Sequence, residues 1–198
     1  MRHVTWTTAV GGALVALVIA LGCVGSTDDS GSGKGSGRVT QLPEPDDAIS
    51  EPLMLSLLQA KNFHHQAKVY MADGKLAEAT DAVRKILALE FPAGAPEGED
   101  VRLDARAMLA KLQIAQGDLD GAMKTVDEGI AGASRESFFV ANLHTVRGEV
   151  LEARVATLDA EQKTDEAKAT RKAAIEAYTE SNRIAEALQK RLVEEMKR

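Results

Sequence analysis

Cysteine, tryptophan and aromatic side chains in general are scarce in this chain. It carries one cysteine, Cys23, and one tryptophan, Trp6, and aromatics make up only 4% of its 198 residues. A single cysteine excludes an intramolecular disulfide, so the folded part must be held by core burial alone. No block of like charge occurs: the formal net charge is −6, with acids and bases interleaved. A basic face is missing, which excludes the usual electrostatic footprint of nucleic-acid binding. Catalytic signatures are missing too. There is no nucleophile-elbow pattern and no HExxH, so the pattern calls for no cofactor, no metal and no evident small-molecule substrate.

What is present begins with a targeting pattern. Met1–Thr8 contains Arg2 and His3 and no acid, and Ala9–Leu21 is an unbroken run of apolar residues and glycine. A positive start, a short apolar stretch and small residues at its end describe a secretory signal peptide over residues 1–22. At ~1.5 Å per residue the run gives roughly 20 Å of helix, short of the ~30 Å hydrocarbon core. Residues 23–46 then alternate Gly and Ser with charges, which marks a flexible tether with an r.m.s. reach of about 25 Å. Gly31-Ser32-Gly33-Lys34-Gly35 is part of that tether and not a phosphate loop, because Gly35 stands where Ser or Thr is needed.

The junction Ala20-Leu21-Gly22-Cys23 resembles the bacterial lipobox at Gly22 and Cys23 and departs from it at Ala20. The resemblance implies diacylglycerol on the Cys23 thiol, cleavage before Cys23 and acylation of the new amine. Several acyl chains on one residue give stable anchoring where one gives marginal binding. Val24 in place of an inner-membrane-retaining Asp implies the outer membrane, facing the periplasm.

Residues 47–198 read as helices separated by punctuation. Leu53, Leu57, Ala60, Phe63/His64, Ala67 and Tyr70/Met71 share one face, and Leu76, Ala79, Val83 and Ile86 a second. After an expected loop over 93–100, Ala105, Met108/Leu109, Leu112 and Ala115 form a third. Leu119, Ala122/Met123, Val126 and Ile130 form a fourth. A fifth helix through Phe139, Leu143, Val146 and Val150 and a sixth through Ala174, Tyr178, Ala185, Leu188 and Leu192 complete three antiparallel pairs. The fold class is all-α, a solenoid of about three helix pairs.

Residues 71–87 and 114–130 align without a gap, sharing the turn glycines Gly74 and Gly117, then Leu76/Leu119, Ala79/Ala122 and Val83/Val126. With Phe63, Ala67, Tyr70, Phe91-Pro92, Leu109 and Ala110, this pattern resembles the tetratricopeptide repeat, a helix-turn-helix unit of ~34 residues. The turn glycines are 43 residues apart, which assigns residues 92–100 to an insertion. The resemblance implies a concave groove lined by the first helix of each pair, with His64 and Lys68 facing it from the first unit and Lys111 and Ile114 from the second. The carboxylate-clamp arrangement of some relatives is not reproduced.

The adjacent His64-His65 pair does not have the i, i+4 spacing of a helical metal site and reads as solvent-facing or groove-lining. The expected function is therefore a lipid-anchored envelope protein, not an enzyme, whose helical domain docks an unidentified protein or peptide. The competing reading is an accessory subunit of an envelope enzyme or assembly complex, or a hydrolase without a recognisable motif.

Overall fold

In a computed structural model the described residues are 50–198. The signal-peptide, Cys23 and tether expectations lie outside them. The described part is all-helical: α1 (Glu51–Ala72), α2 (Leu76–Leu87), α3 (Pro96–Ala115), α4 (Leu119–Gly132), α5 (Phe138–Ala160) and α6 (Thr164–Glu195). Short connections make three antiparallel pairs, α1/α2, α3/α4 and α5/α6. Beyond each pair, α2 packs on α3 and α4 on α5, while the first helices touch in series, α1 to α3 to α5. The result is a two-layer stack of hairpins.

The three hairpin turns are built alike, and each ends its first helix in a Schellman motif. The amide of Lys75 donates to the Tyr70 carbonyl, that of Asp118 to Gln113 and that of Lys163 to Leu158. Gly74 and Gly117 take the left-handed conformation this closure needs, at φ 72° and 80°. In the third turn Gln162 occupies the equivalent place at φ 60°. The left-handed positions are thus 43 and 45 residues apart. First helices of 20 and 23 residues, α3 and α5, accommodate that spacing.

Two apolar clusters hold the stack. Ala60, Ala67, Ala79, Val83 and Ile86 join Ala105, Leu109 and Leu112 of α3 on one side. Leu103, Ala107 and Ala110 of the same helix join Ala122, Val126, Leu143, Val146, Val150 and Ile184 on the other. Small residues let the helices approach closely. A Cβ on Gly148 would lie 2.5 Å from the Tyr178 ring, and one on Gly129 would lie 2.8 Å from Leu143. Buried hydroxyls are matched across helices: Thr80 accepts from Gln116 at 3.1 Å, and Thr125 donates to Gln113 at 2.8 Å.

One expectation needs correction. The segment 93–100 is not wholly a loop, because α3 starts at Pro96. Proline is harmless at a first helical position, where its amide would have no partner, and Glu97 and Glu99 complement the helix dipole. Gly98 is required by packing: a Cβ there would meet Phe91 at 2.6 Å. The apolar stripe of α6 runs on past the buried core. Thr145 and Ser181 face each other at 2.9 Å, and Gly148 faces Tyr178. This register leaves the end of α6 beyond the start of α5, so Ala185 and Leu192 are exposed, along with Val193 and Met196.

A non-glycine residue in the left-handed region is strained by about 1–2 kcal/mol, partly offset in Gln162→Gly by the freer unfolded chain. Gln162→Gly is expected to raise stability by about 0.5–1 kcal/mol and Gly117→Ala to lower it by about 1–2 kcal/mol. Urea midpoints followed by circular dichroism measure both; equal midpoints for all three chains would contradict the shared turn.

Candidate functional site

Where first helices meet side by side, a groove opens between α1 and the N-terminal half of α3. Leu57, Lys61 and His64 recur at helical spacing on one face of α1, while Glu97, Asp100/Val101 and Asp104/Ala105 do so on α3. Ala60, Ile86 of α2 and Phe139 of α5 complete a concavity of about 420 Å³. Its floor is aliphatic and aromatic. Its α1 lip is cationic or neutral, and its α3 lip is anionic.

Polar contacts around the α4–α5 connection fix that geometry. Asp100 accepts two hydrogen bonds of 2.7 Å from Arg135. Glu99 accepts one of 2.8 Å from the Ser134 amide and another from its hydroxyl. These contacts hold the Glu99 carboxyl below the usual carboxylate range. They pin the connection to the start of α3. Ser137 then caps α5 by accepting from the Val140 amide, and Phe139 is set at the groove end.

Past Phe139 and Asp100 a second concavity of about 640 Å³ continues, between the start of α5 and the overhanging end of α6. Phe138, Leu188 and Leu192 give it an apolar surface, and Arg135, Glu136, Arg191 and Glu195 edge it. Phe138 is 70% exposed and Leu192 60%. Phe138 packs edge-on to Phe139 with ring centroids 5.9 Å apart.

Of the residues expected at a groove, His64 lines the first concavity, and its Nε2 lies 3.9 Å from an Asp104 oxygen. Burial, seconded by the Lys68 charge, lowers its pKa against the opposing pull of Asp104. Lys68 is exposed on α1. Lys111 pairs with Glu149 of α5 at 3.1 Å, farther along α3. Ile114 packs against the C-terminal core cluster. Neither Lys111 nor Ile114 lines the concavity that holds His64. His65 is exposed beside it. Sequence reasoning missed Glu97, Asp100, Asp104 and Phe139; the acids' i, i+3, i+7 spacing behind Pro96 was the available signal.

Among the described residues, no group of three or more His, Cys, Asp or Glu is placed to hold a metal ion, and no helix is long and apolar enough to cross a membrane. No family model, curated protein or solved structure matches the chain. What the arrangement offers chemically is a surface that receives an apolar side chain between charges of opposite sign.

His144, half-buried beside Met123 and Glu180, has its pKa lowered by burial, with Arg147 and Arg183 adding to it and Glu180 opposing. Both folded-state imidazoles therefore resist protonation more than the unfolded chain does. Their contribution to stability is complete above the unfolded value near 6.5 and is lost as pH falls through the folded values. The melting temperature is expected to drop between pH 7.5 and pH 5.5, and His64→Gln with His144→Gln should flatten that drop. A slope unchanged in the double variant would contradict the assignment.

Proposed function

We propose that this chain is an exported, lipid-anchored envelope protein whose helical domain is a docking module for another protein. The groove of about 420 Å³ formed by α1 and α3, with its continuation past Phe139, is the observation that carries the docking reading. Hairpin stacks use such concave faces because each pair adds one helix to a continuous surface. The anchor rests on the apolar run Ala9–Leu21, on Cys23 behind Gly22 and on the Gly/Ser tether. In this reading the tether holds the groove off the periplasmic face of the outer membrane.

Leu57 stands in the groove and is not fully buried, so Leu57→Arg obstructs the floor without emptying the core. In affinity capture from detergent-solubilised envelopes, a partner should be enriched by the tagged protein and lost about 10-fold or more with Leu57→Arg. Mass spectrometry of the mature protein should find an acylated amino-terminal Cys23. Capture of the same proteins by both versions, or a free thiol at Cys23, would overturn the corresponding half of the proposal.

A further inference from the structure

Resting on the docking reading above, we infer that the groove selects a protein segment in which an aliphatic or aromatic side chain sits next to lysine or arginine. The apolar part follows from the floor of Leu57, Ala60, Ile86, Ala105 and Phe139, contributed by all three hairpins. An apolar side chain seated there leaves water on binding, which is the general driving force of such contacts. The cationic part follows from which charges on the rim are already matched.

Three carboxylates, Glu97, Asp100 and Asp104, face the groove from α3. Asp100 is neutralised by the two hydrogen bonds of Arg135. Among the described residues Asp104 pairs only with the His64 imidazole, at 3.9 Å, and burial together with Lys68 disfavours the charged form of that imidazole. Among the described residues Glu97 forms no ion pair. Among the described residues Lys61 is the one lysine or arginine lining the opposite lip. Glu97 and Asp104 are seven residues apart, about 10 Å along the helix, so a guest cation on either side of the seated side chain meets a carboxylate. An acidic guest meets repulsion, a built-in rejection as well as an attraction.

Two features point to a polypeptide guest and not to a lipid surface. The groove runs on past Phe139 into a second apolar well, where a further anchor of the same segment fits. The α3 lip is anionic and carries more charges than the α1 lip, in a chain of net charge −6, so anionic headgroups are repelled.

The test uses the full mature protein in detergent and fluorescein-labelled ten-residue peptides. Each peptide carries a leucine or phenylalanine flanked by two lysines, two serines or two glutamates. Anisotropy should rank lysine-flanked above serine-flanked above glutamate-flanked, with the preference shrinking as salt is raised. Glu97→Gln with Asp104→Asn should weaken the lysine-flanked peptide roughly 5–20-fold and the serine-flanked peptide much less, closing the gap between the two. Leu57→Arg should abolish all three, and circular dichroism confirms that each variant is folded. Equal or tighter binding of the glutamate-flanked peptide to the Leu57-dependent site overturns the charge selection and leaves the docking module standing. Binding indifferent to Leu57→Arg, or adsorption to phosphatidylglycerol vesicles with no peptide bound, overturns the docking reading itself.

Discussion

The structure depends on α3 being buried on two faces at once. Ala105, Leu109 and Leu112 close the core of the first hairpin, while Leu103, Ala107 and Ala110 close that of the last two. Leu112 is fully buried. Without this shared helix there would be one isolated hairpin and one pair-and-a-half, each with an apolar face open to water. Removing a fully buried leucine side chain from such a place costs about 2–5 kcal/mol, because transfer and cavity terms add.

Two-sided burial also produces the groove. A helix committed to neighbours on both flanks has only its remaining face for solvent, and α3 fills its N-terminal half of that face with Glu97, Asp100 and Asp104. Buried alanines on all three first helices, among them Ala60, Ala105, Ala107 and Ala141, let α1, α3 and α5 pack in series so that Leu57, Ala105 and Phe139 line one concavity. The ties from Glu99 and Asp100 to Ser134 and Arg135 then fix the entry to α5. Fold and site are therefore one arrangement, with the same helix at the centre of each.

Much of the fold was legible because its punctuation is chemical. Gly74-Lys75-Leu76 and Gly117-Asp118-Leu119 announce left-handed helix ends, and the apolar spacing behind them identifies the buried faces. The third turn was harder to equate with the other two, because Gln162 sits where glycine would have marked it. Residues 93–100 misled for a different reason. Proline and glycine there read as loop, whereas Pro96 opens a helix and Gly98 makes room for Phe91. Placing the start of α3 too late hid the acidic lip, since Glu97 and Asp100 were assigned to an insertion. Leu192 belongs to the apolar stripe of α6 and is nonetheless exposed, because periodicity shows which face of α6 is apolar but not where α5 runs out beneath it.

If the first-helix groove is a docking surface, a partner must touch it in the cell. Incorporating a photo-crosslinking phenylalanine analogue at Leu57 and, as a control on the exposed face of α6, at Glu186 tests this directly. The account predicts that irradiation of intact cells traps a discrete protein adduct from Leu57 and none from Glu186. Adducts formed from Glu186 alone would contradict it.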